Sequence, residues 1–406
     1  MDSLVTSAAR ALRAGDPLSA LQRIALRDDA PALALRGIAM AQLGELAKAK
    51  LLLRRAARRF GPTESVQRAR CVTAEAEVAL AGRDLVWPGR ALADALRTFA
   101  THADHENSIH ARLLQVRRLL LLGQVSEADV LLSSVDLSSA PARLIATGEL
   151  LAFEIAVRRG KSERARASLA RSQRAAESSR IPALIAEVEQ AGRALTLPAA
   201  RLMESGKERL LVLAEVEGVL ASQHLIVDAC RRAARQAQQV VELWRRPVLF
   251  ALLRALAEAW PGDAARDLLV ERAFETRRPN ASHRARLRVE IGRLRKELRP
   301  LAEVQATARG FVLSSREPAG VLVLAPPIEG PDAAVLALLA DGEAWSTSAL
   351  ALALGSSQRT VQRALGALDA EGKVRALGRG RARRWLSSPV SGFTTALLLP
   401  ALGSGD

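Results

Sequence analysis

Three short stretches concentrate guanidinium groups: SHRARLRVEIGRLRKEL at 282–298, SSQRTVQRALG at 356–366 and KVRALGRGRARRW at 373–385. A guanidinium is planar, permanently charged and forked, so it pairs with phosphate oxygens and with guanine edges better than an ammonium does. The chain carries 59 Lys and Arg against 43 Asp and Glu, a net charge of +16 dominated by Arg. An acidic partner is therefore expected, nucleic acid first. Other chemistry lacks its constellation: there is no nucleophile beside a base, carboxylate dyad, P-loop or dinucleotide fingerprint, and the expectation is a non-enzyme without a cofactor. His102, His105 and His110 stand near Asp104 and Glu106. Two His at i and i+3 share a helix face, but the third is out of register, so a solvated segment is expected over a metal site.

The elements that would position the first stretch follow from periodicity. Leu287, Ile291, Leu294 and Leu298 fall on one helical face, leaving Arg286, Val289, Arg293 and Lys296 toward the other. Arg284 and Arg288 flank that face as phosphate contacts, Arg286 and Arg293 are the base-edge candidates, and Ser282 is placed to cap the helix. Strand-like runs from Leu225, an amphipathic segment after Glu242-Leu243, a second helix around Leu268 and Leu269, and a hairpin at Thr307, Arg309 and Gly310 surround it. With the run Ile291, Arg293, Leu294, Arg295, Lys296 and Leu298, residues 222–314 resemble the OmpR and PhoB class of winged-helix effector domains. That resemblance implies a third helix in the DNA major groove and a C-terminal hairpin as wing, with Arg284, Arg286, Arg288, Val289, Arg293, Lys296 and Arg309 at the DNA. Gly292 and the Arg309-Gly310-Phe311 run depart from the family pattern. The phosphorylated receiver domain of that class has no counterpart, because the N-terminal half shows no strand-helix alternation with an acidic pocket.

The second and third stretches form another helix-turn-helix pattern with a basic hairpin. Val361, Leu365 and Leu368 make its apolar stripe, while Ser357, Arg359, Thr360, Gln362 and Arg363 crowd the helix start where base edges are reached. Arg379, Arg381 and Arg383 project from the hairpin, Gly378 and Gly380 let it turn, and Trp385 closes the strand. This segment resembles the winged helices of GntR-like bacterial repressors, which implies a second DNA contact with the hairpin as a phosphate or minor-groove clamp.

A different pattern fills the N-terminal half. Gly15, Gly44, Gly123 and Gly160 are each followed five residues later by Ala (Ala20, Ala49, Ala128, Ala165) and nine residues later by Ile24, Leu53, Leu132 and Leu169. Helix, tight turn and second amphipathic helix therefore recur, with Gly where the first helix ends left-handed and Ala where two helices approach closely. The unit holding Gly37, Gly44, Ala49, Ala56 and Pro62 resembles a tetratricopeptide repeat. A degenerate array over roughly residues 1–195 is expected, with a longer break around Gly82 and larger residues at Val116 and Phe153. Such stacks present a concave face to a protein or peptide partner, or serve as packing and dimerisation scaffold.

The expected fold is mainly α: helical repeats at 1–200, a winged-helix domain at 208–316, a Pro/Gly-marked linker at 317–330, a second winged helix-turn-helix at 331–388 and a tail at 389–406, with small sheets in the winged domains. Cys71 and Cys230 are expected as inert core residues in a reducing cytosol. No secretory leader or 18-residue apolar run is present, so a cytoplasmic, nucleoid-associated chain is expected. The implied function is a double-stranded DNA-binding transcription regulator, with homodimerisation compatible. A protein scaffold without DNA binding stays open, as does RNA binding, which the scarcity of stacking aromatics disfavours.

Overall fold

Left-handed turns set the pattern of the N-terminal half. Its helices are α1 (Ser3–Arg13), α2 (Pro17–Ile24), α3 (Ala30–Gln42), α4 (Leu46–Arg59), α5 (Ser65–Ala81), α6 (Gly89–Thr101), α7 (His105–Leu121), α8 (Val125–Ser133), α9 (Ala142–Arg158), α10 (Ser162–Ser179) and α11 (Pro182–Gly192). Gly15, Gly44, Gly123 and Gly160 join the members of four pairs at φ of +74°, +79°, +75° and +70°. At the first turn the Gly15 N–H donates to the Leu12 carbonyl (3.1 Å) and the Asp16 N–H to the Ala11 carbonyl (2.9 Å), and the same crossed pair recurs at Gly44 and Gly123. These bonds satisfy carbonyls that the end of a helix leaves open. Between α5 and α6 the left-handed residue is Arg83 at φ +50°, not Gly82, whose φ is −80°.

Ala20, Ala49, Ala128 and Ala165 are all fully buried, as their recurrence required. The approach is close between α3 and α4, where a Cβ on Gly37 would stand 2.8 Å from Cγ of Leu53. Successive first helices α1, α3, α5, α7 and α9 pack on one another, so each pair buries its apolar face against the next. Val116 and Phe153 are accommodated within the core despite their size.

The structure, a computed structural model, describes residues 3–85, 89–243, 245–274, 276, 280–316, 318–327, 332–339, 344–371, 373–378, 380 and 383–387. It is mainly helical with small sheets, and its described residues fall into two compact units. One lies within Gly160–Ser162 and Ala194–Gly330. The other lies within Met1–Arg159, Glu163–Arg193 and Pro331–Asp406.

The central unit contains β1 (Ala200–Glu204), β2 (Lys207–Leu211), α12 (Leu213–Leu220), β3 (Leu225–Asp228), β4 (Ala233–Gln236), β5 (Gln239–Glu242), α13 (Pro247–Ala259), β6 (Ala264–Ala265), α14 (Arg266–Phe274), α15 (Ala281–Leu298), β7 (Ala302–Ala306), β8 (Gly310–Ser315) and β9 (Val321–Ala325). Six strands form one sheet in the order β2-β1-β9-β3-β4-β5, and three form another in the order β6-β8-β7. Two boundaries differ from expectation. The unit begins with the β1–β2 hairpin, ahead of residue 208, and the expected linker at 317–330 contains the buried strand β9. VLVLA has no polar alternation because β9 lies inside the sheet, antiparallel to β1 and parallel to β3. The flanking Pro and Gly bound a strand here instead of a flexible connection.

The C-terminal segment holds α16 (Ala333–Leu339), α17 (Thr347–Ala353), α18 (Gln358–Ala370) and the hairpin β10 (Val374–Leu377) with β11 (Arg384–Ser387). Trp345 and Trp385 exchange backbone hydrogen bonds of 2.8 and 2.7 Å, and the Trp385 indole N–H donates to Thr347 Oγ1 at 3.2 Å. Its expected independence does not hold. Leu339, Trp345, Leu350, Leu365 and Trp385 form one continuous core with Leu80, Leu85, Leu92 and Phe99 of the α5–α6 region, and the Arg83 guanidinium lies 5.5 Å from the Trp345 ring centre. The physical reason is size: this segment is too small to bury all its apolar surface alone.

Trp345→Ala removes a fully buried indole from that core. It is expected to cost about 3–5 kcal/mol, read as a lowered midpoint in denaturant unfolding. A change under about 1 kcal/mol would show that the indole does not join the two core regions.

Candidate nucleic-acid interface

Helix α15 is built to hold one face inward. Leu287, Ile291, Leu294 and Leu298 are buried against the helix α13 and strand core. Its N-cap is Asn280, whose Oδ1 accepts the His283 N–H at 3.0 Å, so the expected cap Ser282 is instead the second residue of the helix. At the far end the Arg295 guanidinium donates to the Val304 carbonyl at 2.7 Å and lies 6.0 Å from the Phe311 ring centre. The helix is thereby tied to the β7–β8 hairpin that follows it.

The outward face carries the expected residues. Arg284, Arg286, Arg288, Val289, Arg293 and Lys296 are all exposed, with Val289 at 55 % in their midst. Their guanidiniums are not equivalent. Nε and Nη2 of Arg284 each lie 3.0 Å from an oxygen of Asp267 at the start of α14. Arg293 donates to Glu290 at 2.9 Å, one helical turn back, and Arg286 lies 4.5 Å from the centre of the Phe274 ring. Arg288 and Lys296 have no ion-pair partner among the described residues.

The hairpin turn is held by the α13–α14 segment. Arg266 donates to the carbonyls of Ala308 (2.7 Å) and Thr307 (2.9 Å). Asp263 accepts from Thr307 Oγ1 (2.7 Å) and from Arg309 Nη2 (3.2 Å), and Thr307 Oγ1 in turn accepts the Gly310 N–H at 2.9 Å. The Thr307 hydroxyl, then the Arg309 charge, hold the Asp263 carboxyl below the usual carboxylate range against the opposing effect of its desolvation. Arg309 itself projects outward, with its side chain 84 % exposed.

In the C-terminal segment Val361, Leu365 and Leu368 are buried, while Arg359, Gln362 and Arg363 are exposed. Ser357 and Thr360 are committed locally: Ser357 caps α18, accepting the Thr360 N–H at 3.2 Å, and its hydroxyl meets the Thr360 hydroxyl at 2.9 Å. Arg383 is exposed and stacks 4.2 Å from the centre of the Trp385 ring. The expected contacts Arg379 and Arg381 lie outside the described residues, as does the tail at 389–406.

No cluster of metal-ligand type occurs among the described residues. His110 is buried beside Glu77 at 3.3 Å, whereas His102 and His105 are exposed. Cys71 is a buried thiol whose pKa burial pushes up to about 12, and Cys230 is exposed, contrary to its expected place in a core. Residues that the sequence reading missed are Asp263, Asp267, Phe274 and Glu290, which hold the outward cations, and Arg266, which holds the carbonyls of the hairpin turn. Only Glu290, three residues before Arg293, had a spacing signal. No helix among the described residues is long and apolar enough to cross a membrane. Comparison with known proteins finds no matching family model, curated protein or solved structure.

Arg266→Ala removes two charge-assisted bonds from the hairpin turn. Such bonds are worth about 1.5–3 kcal/mol each, so amide exchange at Gly310 should quicken by at least about tenfold. Unaltered exchange would show that Asp263 alone holds the turn.

Proposed function

We propose that this chain is a sequence-specific double-stranded DNA-binding transcription regulator. On this reading the central unit acts as an OmpR/PhoB-type winged helix, and the C-terminal segment as a second winged helix-turn-helix. The observation that carries it is the two-sidedness of α15, with its apolar stripe buried and its arginine-rich face open to solvent beside an exposed hairpin cation. An α-helix of this width enters the major groove, and the following hairpin reaches the neighbouring backbone. Arg288 and Lys296, free of carboxylates among the described residues, suit phosphates. Arg286 and Arg293, whose planes are set by Phe274 and Glu290, suit base edges. Val289 offers a methyl surface to thymine. In the second module Arg359, Gln362 and Arg363 take the corresponding places, and Arg383 the hairpin contact.

The helical pairs serve as a tetratricopeptide-like platform for a protein or peptide partner, through which DNA binding is modulated, and a homodimer fits the same architecture. One observation favours a second reading for the C-terminal module. Its core is continuous with that of α5–α6, as suits a packing or scaffold element.

The deciding experiment is selection from a random duplex library across a salt series, using the full chain and single alanine variants. The wild type should enrich one motif. Arg288→Ala and Lys296→Ala should each flatten the salt slope by about one unit and weaken all sequences alike. Arg293→Ala should relax preference at one position, by about 1–3 kcal/mol. If no motif emerges and the variants bind like wild type, the scaffold reading replaces this one.

A further inference from the structure

We propose that Asp263, Asp267 and Glu290 are specificity-determining residues of the central interface, acting through the arginines they hold. The inference rests on the DNA-binding reading above and assigns these acids a role that the reading leaves empty. The six cations expected at the DNA all face outward: Arg284, Arg286, Arg288, Arg293, Lys296 and Arg309. Three of them carry a carboxylate partner within the same unit, with nitrogen–oxygen distances of 2.9 Å (Arg284–Asp267), 2.9 Å (Arg293–Glu290) and 3.2 Å (Arg309–Asp263). In two pairs the acid sits deep and the guanidinium projects: side-chain exposure is 12 % for Glu290 against 63 % for Arg293, and 17 % for Asp263 against 84 % for Arg309.

This arrangement does two things at once. Indiscriminate affinity for duplex DNA grows with the number of phosphates neutralised, because each releases condensed counterions. A carboxylate bonded to a guanidinium cancels that contribution and repels any phosphate that is not in place. The same bond occupies part of the fork and fixes its plane, leaving the remaining N–H groups aimed outward with less rotamer entropy to lose. Discrimination is a difference of affinities, and the acids lower the wrong one. The C-terminal module supplies the contrast, since Arg359 and Arg363 have no carboxylate partner among the described residues.

The test replaces each acid by its amide, as Asp263→Asn, Asp267→Asn and Glu290→Gln, singly and together, in the full chain. Each amide keeps a hydrogen-bonding oxygen and removes the charge. Affinities are measured for a random-sequence duplex and for the duplex enriched by the wild type, across a salt series. The triple variant is expected to bind random duplex about tenfold tighter with a steeper salt slope, while its preference for the enriched site falls about fivefold or more. Asp267 is about half exposed, so Asp267→Asn leaves the core untouched and gives an arm independent of folding. Its random-duplex affinity alone should rise about twofold. If both affinities shift in parallel and the preference is kept, the acids only shape the fold and the inference is overturned. If the wild type binds no duplex at any salt concentration, the DNA-binding reading itself fails, and this inference with it.

Discussion

The burial of one stripe on α15 is the constraint from which the candidate interface follows. Fully burying Leu287, Ile291, Leu294 and Leu298 contributes about 1.5–3 kcal/mol each relative to exposure. No other rotation of the helix about its axis recovers that. Once the stripe is inward, a 100° step per residue leaves Ala285, Val289, Gly292 and Lys296 opposite it, with the arginines at the margins. The charges therefore need no interaction of their own to point outward. They are outward because leucines are inward. The Arg295 bond to Val304 then passes this orientation to the β7–β8 hairpin, and Arg266 and Asp263 pass it to the hairpin turn.

A second constraint, on backbone conformation, orders the array. The crossed hydrogen bonds at Gly15, Gly44 and Gly123 stop one helix and start the next within three residues, which brings Ala20, Ala49 and Ala128 against the preceding helix. Where the chain supplies Arg83 or Ala103 in place of glycine, at φ +50° and +51°, it accepts a conformational cost of about 1–2 kcal/mol. Arg83 repays it in contacts, since its guanidinium donates to the Leu80 carbonyl at 3.0 Å and reaches the Trp345 ring.

What was legible in the sequence was what repeats or alternates locally. The four turn glycines with their alanines, and the two apolar stripes of α15 and α18, follow from spacing alone, because the cost of violating them is local and steep. Strand β9 was not legible as a strand, since Pro and Gly at both ends mimic a linker and its partners β1 and β3 lie about a hundred residues upstream. The shared core of α5–α6 and the C-terminal module was equally hidden: Arg83 and Trp345 have no sequence relation that a periodicity could carry. The same holds for two of the three acids at the candidate interface, Asp263 and Asp267. Asp267 meets Arg284 across 17 residues and Asp263 meets Arg309 across 46, and only the folded α14–α15 angle and the hairpin bring them together.

That hidden layer changes how the charge of the chain is read. A formal +16 suggests an undirected affinity for polyanions, yet three of the six cations expected at the DNA, on α15 and the hairpin after it, are already answered by a carboxylate. Ion pairs whose guanidinium stands open to solvent contribute little to stability, about 0–1 kcal/mol each. Their effect lies in what they withhold from a passing phosphate and in the plane they impose on a guanidinium. On the proposed reading the central module thus favours orientation over attraction. On the same reading Arg359 and Arg363 of α18, with no carboxylate partner among the described residues, favour attraction over orientation. Each module is defined less by how many arginines it exposes than by which of them its own acids already hold.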